Sequence, residues 1–560
     1  MPKRYVVTSG LPYSNGRLHV GHIGGAYLPA DTYVRYLRAK GEDVRFICGS
    51  DDNGVAIEIS AMQADKKPQE ISTQFHARQK EDFAGLGIDF DVYGGTHQPG
   101  FAEMHQRFSQ EFFTRIHEQG YFTKRSTKQL FDPKVQRFLP DRYVRGTCHH
   151  CGASGATGDQ CEACGQMIDP LLLVDPISEI TGEPAEVRET THWYLRLGAF
   201  EKPLRKWLES KQEQWRPSVI NFALGQIKQG LPERAMTRDI DWGIPVPLDD
   251  PDAANKVLFV WFDAPIGYIS FTARLCEQTD GDWRGYEKWW SDPDTAIVHF
   301  IGEDNTVFHA LIWPAMLMAD GRHQLPFDVV ANNFINIRLR GDEAKVSKSR
   351  TPEASPVWVE EYLKRFDPDA LRYYLTAIAP EHARTAFDPQ DFVTRNNSEL
   401  VAAFGNFVNR TLAFAARYFD GKVPDAAAQT DVDRAHLAAA DAALQKVGQS
   451  IEAHRYRVAL EEMMAFARAC NQYFGLREPW RTRKELPADC AAAITTCIHA
   501  VHYLAILAHP FMPGAARRML EMLAVPADPL RWAPPPAPAA GHALGEPAIL
   551  FEKLEPGCMD

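Results

Sequence analysis

The sequence predicts an α/β fold: a doubly wound, Rossmann-type parallel sheet, split by an inserted metal knuckle and followed by a helical bundle. Three observations predict it. A short strand, a glycine-rich turn, a helix and a second strand fill the first fifty residues. Two C-x-x-C pairs stand close together between residues 148 and 164. Beyond Asp388 alanine becomes dense, and apolar residues recur at three- to four-residue steps as far as Leu507.

The bulk numbers exclude other classes. With 560 residues, 45% apolar and 24% charged, the chain is a multi-domain globular protein rather than a disordered one. Gly and Pro number 38 each without a triplet period, so it is not collagen-like. No run approaches the roughly 18 consecutive apolar residues of a membrane span. The apolar stretch near the start is only Tyr5 to Val7, too short for a secretory signal. A cytoplasmic protein without a membrane partner is therefore expected. The 61 Lys and Arg against 73 Asp and Glu give a net charge of -12. That balance argues against a generally basic, DNA-coating surface and leaves room for a local basic site.

Taken in order, Tyr5–Thr8 is a β-type run, and Gly10 to Gly25 carries five glycines. Ala26 to Ala39 has helical apolar spacing, and Val44–Cys48 is a second strand ending in Gly49-Ser50-Asp51-Asp52. Ligands of such folds sit at the carboxyl ends of the strands, where the glycine loop and the Asp pair both fall. The pattern changes over residues 120–238, which read as an insertion. Apolar runs resume at Val257–Phe262 and Ala296–Gly302, both of the kind that buried parallel strands carry. The expected divisions are a first catalytic half over 1–119, the insertion over 120–238 and a second catalytic half over 239–325. A linker domain over 326–387 holds a basic loop from Lys345 to Arg350. A helical domain spans 388–530, and a Pro/Ala-rich linker and tail span 531–560.

Of ten cysteines, six are scattered and four form Cys148-x2-Cys151-x9-Cys161-x2-Cys164. A tight turn brings both thiolates of each C-x-x-C pair onto one metal, and four thiolates close a tetrahedral Zn²⁺ site with no place for substrate. The zinc is thus expected to be structural. Two disulfides are the alternative, disfavoured without a secretory signal and with six other cysteines unpaired. His149 and His150 read as exposed loop residues rather than ligands.

Two short motifs carry the chemistry. His19-Val20-Gly21-His22 sets two imidazoles at i and i+3 near a helix start, with a glycine that lets a nucleotide approach the backbone. Lys345-Val346-Ser347-Lys348-Ser349 is suited to clamp phosphates. Each alone is equally a surface feature. Together, on a nucleotide-binding fold, HVGH and KVSKS resemble the HIGH and KMSKS signatures of the class I aminoacyl-tRNA synthetases. Three further segments resemble the methionyl family among them. These are Gly10-Leu11-Pro12-Tyr13-Ser14-Asn15-Gly16, Trp261-Phe262-Asp263-Ala264-Pro265-Ile266-Gly267-Tyr268, and His299–Asp304 with Phe308, His309 and Trp313. Glu303 departs from that pattern, which commonly has Lys there.

The resemblance implies ligation of L-methionine to tRNA(Met) through methionyl-adenylate, with ATP and Mg²⁺ as substrate and zinc in the knuckle. It implies that His19, His22, Lys345 and Lys348 stabilise phosphate charge, and that Gly21 and Asp304 also meet ATP. Leu11, Tyr13, Trp261, Ala264, Pro265, Tyr268 and His309 would line the methionine pocket, with Asp52 on the ammonium. An aromatic pocket suits the polarizable thioether. In the helical domain Asn406 and Arg410 share a helix face, and Trp480 stands in a loop among arginines, suited to stacking on an anticodon base. Rivals are a cysteinyl or leucyl enzyme of the same class, or a catalytically silent tRNA-binding protein. Since Asp560 leaves little room for a further C-terminal barrel after the proline-rich stretch, a monomer is expected.

Overall fold

The computed structural model describes residues 2–140, 143–158, 161, 163–164, 168–339, 342–344, 355, 357–425 and 429–559. Its central sheet has five parallel strands: β1 (Arg4–Ser9), β2 (Asp43–Ser50), β3 (Val92–Gly95), β4 (Thr295–Gly302) and β5 (Asp328–Asn332). Their order is β5-β4-β1-β2-β3. The chain starts at the centre, steps out to β3, leaves the sheet, and returns on the other side of β1. The topological switch point therefore lies between β1 and β4.

Both faces of the sheet are covered, which is why its strands are apolar throughout. Val7, Phe46, Cys48, Val298 and Phe300 enter one core, while their neighbours Val6, Ile47, Ile297 and Ile301 enter the other. Helix α1 (Leu28–Lys40) packs on the first face and stops at Gly41, whose φ of 88° favours glycine.

Two expectations need correction. In the apolar run Val257–Phe262 only Val257–Leu258 is extended, pairing antiparallel with Thr237–Arg238, and Val260–Asp263 is helical. Short buried helices and short buried strands have the same composition. Conversely, β5 lies beyond residue 325, where the sheet was expected to end; its Val329-Val330-Ala331 is too brief to stand out.

The insertion is built on a long antiparallel pair, Phe122–Asp132 with Glu186–Leu195, and carries the cysteine knuckle. The C-terminal part is helical: α2 (Asn406–Tyr418), α3 (Asp431–Glu452), α4 (Tyr456–Arg477), α5 (Pro479–Glu485), α6 (Pro487–Ala508) and α7 (Pro513–Met522). Helix α6 is long and apolar enough to cross a membrane, yet 83% of its most apolar window is buried inside the molecule as a core helix.

The helical part shares its core with the sheet: Val447, Met463 and Leu504 belong with Val7 and Phe300. Arg372, fully buried, ties the pieces together. It pairs with Asp31 of α1 at 2.6 Å and donates to the carbonyls of Leu86, Pro510 and Phe511. The Pro/Ala-rich stretch is docked rather than loose. The Trp532 amide donates to the Ala39 carbonyl at 2.8 Å, and its ring meets Tyr36 edge-on. Leu550 and Phe551 are buried in the same core.

Candidate functional site

A cavity of about 410 Å³ opens at the carboxyl ends of β1, β2 and β4, beside the switch point. Leu11 and Tyr13 reach it from the loop after β1. His19, Gly21 and His22 reach it from the helix start, and Trp261, Ala264, Pro265 and Tyr268 from the segment leading out of the insertion. Asp304 and His309 reach it from the turn after β4. Lys345 and Lys348 lie outside the described residues.

The histidine motif is fixed by its own backbone. His19 caps the helix, its Nδ1 accepting the Gly21 amide at 3.1 Å. His22 Nδ1 accepts the His19 amide at 3.3 Å, and the two rings stack at 3.7 Å. Gly21 is required by close approach, because a Cβ there would lie 3.0 Å from the Ile335 carbonyl oxygen. The continuation, Ile23–Tyr27, is a π-helical turn, as is Phe308–Ile312, which carries His309. Such turns are common at functional sites.

The wall facing the histidines is aromatic. The Trp261 indole donates to the Tyr13 hydroxyl at 2.8 Å and packs against Phe308. Tyr268 bonds His309 Nε2 at 3.0 Å. Burial pushes His309 down to about 4, so its ring is neutral at physiological pH, although its bond to the Asn305 carbonyl favours the charged form. Phe308, Trp313, Asn305, Asn333 and Phe334 also line it; the first two already stood in the quoted motifs, while Asn305 and Asn333 had no local signal.

Asp52, expected on the substrate ammonium, lies just past the end of β2. It is fully buried, its carboxylate accepting from Ser50 Oγ at 2.7 Å and from the His97 amide at 3.0 Å. It does not line the cavity; Asp51 does. Asp51 is bridged to Tyr13, is 5% exposed, and its Oδ1 has no partner. Burial, then the charges of Asp263 and Asp52, hold its carboxyl well above the usual range. A buried carboxylate without a cation is costly, so the geometry is ready for a ligand's positive group. Glu303, unusual for the motif, pairs with Arg384 at 2.9 Å.

The four cysteines converge, their sulfurs all within 4.8 Å of one another. Cys148–Cys164 and Cys151–Cys161 are 3.9 and 3.7 Å apart, too far for disulfides. They match the edge of about 3.8 Å that four Zn–S bonds near 2.3 Å impose. Backbone amides pull the Cys161 thiol down to about 7, and the donor set fits structural zinc. His149 and His150 are exposed. The knuckle is braced against the helix Val55–Gln63: the Tyr143 hydroxyl and the Trp242 amide both donate to Glu58, and the Trp242 indole donates to the Asp52 carbonyl.

At the far end of the helical part, Trp480 sits in the first turn of α5 rather than in a loop, because Pro479 starts that helix. Its ring is 50% exposed. Asn406 is exposed, and Arg410 lies over Phe474, itself 6.1 Å from Trp480. The nearby arginines are largely engaged: Arg477 with Asp433, Arg481 with Glu478 and Glu485, and Arg483 over Tyr418.

Comparison with known proteins agrees with this geometry. The family model "tRNA synthetases class I (M)" matches residues 5–412, and "Anticodon binding domain of methionyl tRNA ligase" matches residues 423–557. The chain is 43% identical to the methionine–tRNA ligase of Pyrococcus furiosus, over 98% of this chain and 75% of that one. It is 43% identical to that of Bacteroides fragilis strain YCH46, over 99% and 79%. Among solved structures it resembles Mycobacterium tuberculosis methionyl-tRNA synthetase in complex with methionyl-adenylate. The TM-score is 0.79 at 26% identity, covering 98% of this chain and 99% of that one.

Proposed function

The chain belongs to the methionyl family of class I tRNA synthetases, and on that premise we propose how its residues divide the work. It ligates L-methionine to tRNA with ATP through methionyl-adenylate. The observation that carries the division is one cavity in which paired histidines, a carboxylate with an unpartnered oxygen and an aromatic wall meet.

Methionine lies with its thioether among Tyr13, Trp261, Tyr268 and His309, against Leu11, Ala264 and Pro265. Its ammonium pairs with Asp51. A carboxylate oxygen then attacks the α-phosphorus of ATP-Mg²⁺. The new P–O bond forms as the bond to pyrophosphate breaks, and pyrophosphate leaves with the electron pair. His19 and His22, joined by Lys345 and Lys348, stabilise charge on the phosphates, while Gly21 and Asp304 flank the nucleotide. No general base is needed, since the nucleophile is already a carboxylate; catalysis is positioning and charge stabilisation. In the second step a hydroxyl of the terminal tRNA ribose attacks the adenylate carbonyl and AMP leaves. Asn406, Arg410 and Trp480 read the anticodon. The reading extends to a cytoplasmic monomer, which sedimentation checks, and to tRNA(Met) rather than DNA as the nucleic-acid partner.

Methionine-dependent ATP–pyrophosphate exchange tests the first step. His19→Ala and Lys348→Ala should each lower it about 100- to 1,000-fold, the cost of removing one transition-state donor, with circular dichroism unchanged. A folded variant with normal exchange would remove that residue from the machinery. Trp480→Ala should leave exchange intact and cut kcat/KM for tRNA about 10- to 100-fold, the worth of one base stack.

A further inference from the structure

The histidine motif is fastened to a segment that no step above uses. The Val20 amide donates to the Val357 carbonyl at 2.9 Å, and the Val359 amide to the Leu18 carbonyl at 3.1 Å. Between these bonds His19 stands opposite Trp358 in an antiparallel bridge, the closer of the two antiparallel pairings. Leu18, Val20, Val357 and Val359 turn into the core, so alternation sets His19 and Trp358 together on the other side. Their rings meet there, 6.0 Å between centroids and 65° between planes. The Arg17 guanidinium lies over the indole at 5.1 Å and pairs with Glu361 at 3.0 Å and Glu360 at 3.4 Å. Both carboxylates belong to the short helix Val359–Leu363, which Trp358 precedes. Trp358 is buried and lines no part of the cavity.

The contacts around His19 leave the indole a definite task. The Gly21 amide occupies Nδ1 at 3.1 Å. A backbone N–H only donates, so the neutral ring carries its hydrogen on Nε2, a donor suited to a phosphate oxygen. His22 covers one face of the ring at 3.7 Å. Trp358 supplies a second wall, and without it the ring is free to turn off its cap. An indole brings no acid–base chemistry, so what it contributes is orientation. Orientation matters because this reaction runs on positioning, and a displacement of about 1 Å costs about 100-fold. Trp358 also follows Ser349 by nine residues, so the chain leaving the lysine motif lands directly on the histidine motif.

We propose that Trp358 is a positioning residue for adenylate formation, whose ring holds the His19 imidazole on its cap with the remaining N–H aimed at the phosphates. This deepens the reading above and rests on its assignment of His19 to ATP.

Pyrophosphate exchange tests it with Trp358→Leu, which keeps apolar bulk without a ring, and Trp358→Phe, which keeps a ring. Trp358→Leu should lower kcat about 10- to 100-fold with the methionine KM unchanged, and Trp358→Phe should recover most of that loss. In a His19→Ala background Trp358→Leu should cost nothing further, because the ring it positions is gone. Nitrogen-15 shifts of labelled His19 should report the Nε2–H tautomer in the parent and a mixture of tautomers in Trp358→Leu. Full additivity with His19→Ala, equal losses in the two Trp358 variants, an unchanged kcat, or a methionine KM that rises as kcat falls would each overturn the proposal. So would an unaltered His19 tautomer in a slowed Trp358→Leu. An Nδ1–H tautomer in the parent would overturn it without any variant. Normal exchange in folded His19→Ala is a different failure: it removes His19 from the machinery, and the reading on which the proposal rests goes with it.

Discussion

On the proposed reading, a substrate ammonium entering the cavity meets Asp51, whose Oδ1 is buried without a partner. Its carboxyl is held well above the usual range, first by burial and then by the neighbouring carboxylates, and only the ionised form pairs with a cation. The pH profile of kcat/KM for methionine should therefore rise through an upward-shifted acid limb. Asp51→Asn should flatten that limb and raise the methionine KM about 10- to 100-fold, the worth of a charged hydrogen bond. Asp52→Asn, at a carboxylate already held by Ser50 and His97, should lower stability more than affinity. The sequence shows that an acidic pair ends a strand at the ligand-binding edge. It does not show which member faces the ligand, since consecutive residues on extended chain point opposite ways. HVGH, by contrast, was legible because its function and its capping geometry use the same four residues.

Elements were legible where a period or a spacing repeats. The four cysteines needed nothing beyond their spacing, and β1, β2 and α1 stood out by pattern. Short apolar pieces were not legible: Val257–Phe262 was divided between a two-residue strand and a helix, and β5 was claimed by the sheet, through packing that no local signal encodes. The knuckle has its own small core around Leu130, Tyr143 and Val144. Stripping the zinc with a chelator should speed amide exchange across residues 143–178 while β1, β2 and β4 stay protected; exchange spreading into the sheet would show that the knuckle is not a separate unit. The helix Pro68–Gly85 offers a pH test. Burial and Glu360 raise its Asp82 carboxyl to about 7, so the folded state binds that proton more tightly than the unfolded chain does. The resulting stabilisation is complete at low pH and is lost as pH rises from about 4 to 7, at most about 4 kcal/mol. Asp82→Asn should match the parent's thermal midpoint at pH 5 and exceed it at pH 8.

Across the whole molecule, the net charge of -12 coexists with tRNA as a partner because the helical part is nearly neutral, with 17 Lys and Arg against 20 Asp and Glu over residues 388–560. Such a balance curbs non-specific phosphate binding and leaves recognition to particular side chains. Cohesion between the parts concentrates at Arg372. Arg372→Met would leave Asp31 with Arg35 alone and strip donors from three carbonyls. A loss of about 3–5 kcal/mol should appear as a clear drop in thermal midpoint, with the methionine KM little changed. The docked proline-rich stretch has a consequence for the birth of the chain. Tyr36 is made about 500 residues before the Trp532 that covers it. At about 5–20 residues per second, the flank of α1 waits roughly 25 to 100 seconds for its lid. An enzyme that supplies translation is thus itself a long-standing unfinished product on the ribosome, the flank of α1 open to chaperones until the Trp532 segment emerges.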